Sequence, residues 1–359
     1  MTPTTHVPRR SFAAANSRLG FVSYYGDLFA DGRTDRLYII KGGPGTGKSH
    51  FMKWVARYAR ERGYAVSEYL CSSDPSSLDG ILLTRAGRPT VGLIDGTPPH
   101  AREPVLPGAR EELVNLGAFW DPAALAGKRD AVAALGREKA TAYARAYACL
   151  RAAGEMDTLQ DSLTEPWVDG DRLNGLANRL LKGQTAGDFE AVPALRRAIS
   201  MKGKHTLHSY ESAAATLLIP TEGYGMGYRL TRALLAHSET AGHRVYVSYD
   251  PLSPHRIDGL LYPETGLCVL VGDAFPPEGT PARALSLRRY ADTEGMRRVR
   301  GELRHAAKLK EALTAAALRH LSAAATAHFE LERIYAATMD FAAKEAFTEG
   351  FCREVLGEG

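Results

Sequence analysis

Gly42-Gly43-Pro44-Gly45-Thr46-Gly47-Lys48-Ser49 fills every fixed position of the pattern G-x-x-x-x-G-K-[ST]. Glycines at this density let the backbone curl until several N–H groups point inward, which forms a cradle for a phosphate. A helix that starts there adds the positive potential of its N-terminus. In such a loop Lys48 reaches the β- and γ-phosphate oxygens, and the Ser49 hydroxyl ligates Mg²⁺. The flanks agree. Leu37-Tyr38-Ile39-Ile40 has the apolar continuity of a short buried strand, and Phe51, Met52, Val55, Ala56 and Ala59 recur at helical spacing after the loop. The expected nucleotide-binding stretch is Gly42, Gly43, Pro44, Gly45, Thr46, Gly47, Lys48, Ser49 and His50.

A second acid is needed on the metal side. Thr90-Val91-Gly92-Leu93-Ile94-Asp95 reads as a buried strand ending in a carboxylate. Ligands in α/β sheets sit beyond the carboxyl ends of strands. Asp95 is therefore expected to face the loop and hold Mg²⁺ together with Ser49. No Glu follows Asp95, so the water-activating acid of many ATPases is missing from its usual place. Tyr64 to Leu70 reads as another strand, with Cys71-Ser72-Ser73-Asp74-Pro75-Ser76-Ser77-Leu78-Asp79-Gly80 at its end. Asp74 and Asp79 overhang the site if that strand neighbours the first. Asp74 is the candidate to orient water or bind an acceptor hydroxyl; the alternative is a turn capping its own backbone. His100 and Glu103 are weaker candidates. The base-specifying N-K-x-D signature of GTPases is absent, so ATP is expected over GTP.

The second half echoes the first. Gly225-Met226-Gly227-Tyr228-Arg229 pairs with Gly45 to Ser49, Leu217-Leu218-Ile219 with the first strand, and Asp258-Gly259 with Asp79-Gly80. Asp273 and Pro276-Pro277 pair with Asp95 and Pro98-Pro99. This order of matches predicts a duplication. In the copy Tyr228 replaces the lysine, Arg229 the hydroxyl, and Glu222 the first glycine, so the second loop is expected to be degenerate. The two-copy pattern resembles a family of uncharacterised bacterial tandem P-loop ATPases. The resemblance is strongest at Arg9 to Tyr25, Lys41 to Ser49, Cys71 to Gly80 and Leu93 to Asp121. It implies a P-loop fold and nucleotide binding and names no substrate. Members of that family often carry an intact loop in both halves, from which this chain departs.

The expected fold is α/β: two tandem P-loop NTPase-like domains with mostly parallel sheets, each followed by a long helical segment. The first domain is drawn over 1–188, with helices about 122–183. The second is drawn over 189–359, with helices about 295–357. The Ala-rich stretches 123–163 and 297–341 read as helical hairpins or lids. Composition is that of a soluble globular protein, with 45% hydrophobic and 24% charged residues and a net charge of +4. That charge is too small to argue for nucleic acid, and the basic run from Arg297 to Lys310 lacks aromatic interleaving. His205 and His208 lack a second pair of metal ligands. No apolar run is long enough to span a bilayer. Scattered cysteines and an N-terminus without an apolar stretch lead to a cytoplasmic expectation. These readings converge on an Mg²⁺- and ATP-binding protein, a slow ATPase with one working site. The alternatives are a kinase for a small-molecule acceptor and a nucleotide-gated protein that signals to a partner through its helices.

Overall fold

The computed structural model describes residues 6–210, 214–220, 225–272 and 282–357. The fold is α/β, with two six-stranded mixed sheets. The chain divides into two compact units, each discontinuous in sequence. One comprises Ser23–Ala146, Ser200–Gly203 and Leu318–Gly359; the other comprises Met1–Val22, Tyr147–Ile199 and Lys204–Ala317. The sequence reading placed a single boundary between 188 and 189. Contacts assign Leu318–Gly359 to the unit that holds the glycine-rich loop.

In that unit β1 (Arg36–Lys41) leads through the loop to α1 (Lys48–Glu61). Then come β2 (Ala65–Leu70), β3 (Leu78–Thr84), β4 (Val91–Asp95) and β5 (Glu111–Asn115). Their order in the sheet is β2-β3-β4-β1-β5. β1 is parallel to both neighbours, with Ile40 opposite Asp95 and Lys41 opposite Asn115. β2, β3 and β4 form an antiparallel meander. Their connections, 71–77 and 85–90, are too short for a parallel crossover, which needs a dozen residues or more. The sheet is therefore mixed, and parallel around the strand that feeds the loop. The condition under which Asp74 and Asp79 would both overhang the site, that β2 neighbours β1, is not met, because β3 and β4 lie between them.

Fourteen residues of helix are marginal alone. α1 is held by its buried face, Phe51, Met52, Val55, Ala56 and Ala59; complete burial of each large side chain stabilises by about 1.5–3 kcal/mol. Part of that face is covered from the C-terminus of the chain. The last helix, α6 (Phe341–Leu356), is N-capped by Asp340, which accepts from the Ala343 N–H at 2.9 Å. Its Phe351 ring meets Tyr38 at 4.9 Å and Phe51 at 5.1 Å.

Between these elements lie α2 (Arg129–Thr164) and α3 (Gly170–Leu180). The other unit has β6 (Glu190–Pro193), β7 (Ala215–Ile219), α4 (Met226–Ala241), β8 (Arg244–Tyr249), β9 (Ile257–Tyr262), β10 (Leu267–Val271) and β11 (Ala282–Ala284). Its sheet order is β11-β7-β10-β9-β8-β6. β7 is parallel to β10 and β11, and β8-β9-β10 is again an antiparallel meander. The long helix α5 spans Thr293–Ala336. Residues 129–164 form one helix of 36 residues and 293–336 one of 44, where the expectation was a hairpin or a lid.

Local geometry recurs between the meanders. Cys71 N–H donates to Ser77 O at 3.0 Å and Ser77 N–H to Asp74 O at 2.9 Å; Asp250 N–H donates to Arg256 O at 2.8 Å and Arg256 N–H to Ser253 O at 2.8 Å. The pairing slips at Tyr69/Leu70 in one and at Ser248/Tyr249 in the other. Gly96 N–H binds Ile40 O and Gly272 N–H binds Ile219 O. That correspondence sets Val271 opposite Ile219, in the place Asp95 takes opposite Ile40. Glu222, Asp273 and Pro276-Pro277 lie outside the described residues.

Candidate functional site

Gly47 adopts a left-handed conformation, φ 77°, and N-caps α1. The first amides of α1 lack an intrahelical partner, and no side chain caps them. The Lys48 ammonium donates to Gly42 O at 2.8 Å and Gly43 O at 2.9 Å, and lies 3.6 Å from Asp95 Oδ2. A ligand phosphate would exchange those neutral carbonyls for anionic oxygens, which bind an ammonium about twice as strongly. Thr46 is fully buried, and its hydroxyl donates to Gly43 O at 2.9 Å, so it braces the loop. His50 is exposed on α1, edge-on to Trp54. Its imidazole is pushed below the ordinary range by desolvation and then by the field of Lys344.

The β1–β4 register brings Asp95 beside Lys48. Asp95 Oδ1 accepts from Thr97 N–H at 2.9 Å and Thr97 Oγ1 at 2.6 Å, so Oδ2 is the oxygen left for the loop side. Ser49 Oγ accepts from the Leu78 N–H at 2.9 Å, which joins the loop to the start of β3. The next residue, Asp79, is 5% exposed, with Oδ2 at 3.4 Å from His100 Nε2. Burial raises its carboxyl to about 6, with His100 opposing and the negative Asp95 adding to the rise. The Cys71 thiol is likewise pushed up, by burial and then by Asp79. Tyr25 lies edge-on to His100 at 5.3 Å.

Asp74 does not join this group. Its Oδ1 accepts from Ser76 N–H (3.1 Å), Ser76 Oγ (2.7 Å) and Lys202 Nζ (2.7 Å). Burial raises its carboxyl, but the Lys202 and Ser76 hydrogen bonds outweigh that and hold it below the usual range. It is the turn acid of its own hairpin. Glu103 is largely exposed and pairs with Lys41 at 2.6 Å.

Two lysines of this unit escaped the sequence reading. Lys139, on α2, meets His328 Nδ1 at 3.2 Å; desolvation holds its ammonium below the ordinary range, and the charge of Lys48 adds to this. Lys344, on α6, is 2% exposed, and its ammonium is 2.9 Å from where a Cβ on Gly47 would stand. The end of α5 also meets the loop: a Cβ on Gly45 would stand 2.3 Å from Glu332 O.

The second loop has different surroundings. Gly225, φ 84°, N-caps α4, so Met226 takes the helical position of Lys48, where the sequence pairing had placed Tyr228. No lysine is present in either register. Arg229 pairs with Glu165 and donates to Asp161 O at 3.0 Å. A cavity of about 460 Å³ is lined by Arg197, Tyr228, Asp250, Arg256 and Lys310. Three of its cations are paired: Arg197 with Asp250 (2.9 Å) and Asp258, Arg256 with Asp157 (2.5 Å), and Lys310 with Asp157 (2.6 Å).

Among the described residues no helix is long and apolar enough to cross a membrane, and no cluster of three or more His, Cys, Asp or Glu side chains is arranged to hold a metal. Comparison with family models, curated proteins and solved structures returned no match.

Proposed function

We propose that the chain binds MgATP at loop 42–49 and hydrolyses it slowly, as one member of a tandem P-loop architecture whose second loop is degenerate. The observation that carries this reading is the convergence of Lys48, Asp95, Ser49 and Asp79 on a glycine-capped helix N-terminus. The residues fit a hard cation that needs few protein oxygens. Asp95 keeps Oδ2 uncommitted to Thr97, and Ser49 Oγ retains a lone pair beyond its bond from Leu78. Ser49 and Asp95 are the residues that would hold Mg²⁺, which when bound neutralises phosphate charge. Lys48 and the loop amides position the phosphates.

Asp79 is the acid for the attacking water. A carboxylate with its pKa near 6 is poised to accept a proton at neutral pH, and burial beside Asp95 sets that value. The recurring hairpins and bulges support the duplication. The transferase reading rested on Asp74, whose carboxylate is taken by Lys202. The nucleotide-gated reading has an observation in its favour, because α5 and α6 lie against the loop. An Mg²⁺-dependent ATP turnover assay on the wild type and Asp95→Asn tests the proposal. Turnover lost in the variant, with ATP binding retained, is expected; unchanged turnover would remove Asp95 from the site.

A further inference from the structure

Lys344 presents a charge problem that the unit does not solve from its own residues. The residue is only 2% exposed. Among the described residues it has no carboxylate within ion-pair distance and no hydrogen-bond acceptor; its one polar-type contact is the Phe341 ring, 5.5 Å away. Leaving a buried charge unpaired is strongly destabilising. Its position makes the cost larger. It lies against Gly47, the residue that N-caps α1. That helix end is itself positive and begins with Lys48. Desolvation holds the ammonium below its ordinary range, and its field reaches His50 in the first turn of α1. Two positive features thus face each other, and the one carboxylate whose field reaches Lys344, that of the exposed Glu345, is not within ion-pair distance.

We propose that Lys344 is a phosphate ligand: the final helix delivers a second lysine to the loop, and the polyphosphate of the nucleotide is its missing counter-ion. The proposal rests on the nucleotide reading above and adds a residue that lies almost 300 positions from the loop in sequence. The second loop provides a contrast. There the side chain 2.9 Å from a Cβ on the capping glycine, Gly225, is the Asp161 carboxylate. The first loop is approached by a cation without an ion-pair partner, and the second by a carboxylate that Arg256 already pairs at 2.8 Å. The cation at the first loop is the one left to take a phosphate.

The test uses the full-length chain. MgATP and inorganic tripolyphosphate are titrated into wild type, Lys48→Ala, Lys344→Met and Lys344→Arg, and each melting temperature is recorded with and without ATP. Methionine keeps the length and removes the charge. Lys344→Met is expected to melt at or above wild type without nucleotide, because a buried charge is gone. It should bind both anions at least tenfold more weakly and gain less thermal protection from ATP. Lys344→Arg should recover part of the affinity. A purely structural lysine would give the opposite pair, a lower melting temperature with unchanged affinity. If Lys344→Met proves unstable, Lys344→Gln serves with the same readouts. Near-wild-type affinity in the charge-free variant, with binding lost in Lys48→Ala, would overturn the proposal and leave the loop reading standing. A wild type that binds neither anion would overturn both.

Discussion

Under the proposed hydrolysis, Asp79 ties stability and chemistry to the same proton. Its folded pKa, about 6, lies above the ordinary value of 3.8. A raised carboxyl favours the folded state while protonated. That contribution is complete below about pH 4 and is lost as pH rises through 6. A shift of roughly two units corresponds to about 3 kcal/mol. Asp79→Asn should therefore be more stable than wild type at pH 8 and no more stable at pH 3.5, as chemical denaturation at the two pH values would show. If Asp79 is the base, wild-type turnover should rise through about pH 6, and the Asn variant should lose that limb. A variant with wild-type turnover would show that another group accepts the proton. Lys48 allows a simpler prediction. Lys48→Ala removes the charge opposite the phosphates, so ATP affinity should fall at least tenfold, about 1.4 kcal/mol. An unchanged titration curve would contradict the loop assignment.

Among the elements, the strand–loop–helix 36–61 was legible because its signal is local: an apolar run, fixed glycines and a helical repeat follow in sequence. Asp95 was legible for the same reason. Asp74 was misplaced because sheet order is non-local; nothing in residues 64–80 says that β3 and β4 come between β2 and β1. Asp79 reaches the site on its own strand, which returns beside β4. Lys344 was missed because its partner element lies at the other end of the chain. A signal was present: Lys344 shares the helical spacing of Thr348, Phe351 and Cys352, a lone charge on an otherwise buried face. Glycine carries a second duty here. Gly45 has φ 76°, and an added Cβ would meet the Glu332 carbonyl at 2.3 Å. Gly45→Ala combines left-handed strain with a backbone clash at α5. It should lower the melting temperature even without nucleotide. Equal melting temperatures for Gly45→Ala and wild type would mean that α5 does not rest on the loop.

At the scale of the whole molecule, the two halves share a sheet plan and differ in charge. The first loop has Lys48, Asp95 and Lys344 around it. In the second, Met226 follows the capping glycine, Val271 stands where Asp95 would be, and the nearby arginines are held by carboxylates. These replacements leave no free cation for a phosphate among the residues named, and an apolar side chain at the register position that Asp95 takes in the first sheet. The chain should therefore take up one nucleotide. Equilibrium titration of MgATP into protein of known concentration measures this directly. The account predicts a stoichiometry near one that Lys48→Ala abolishes; a stoichiometry near two, reduced to one by Lys48→Ala, would contradict it.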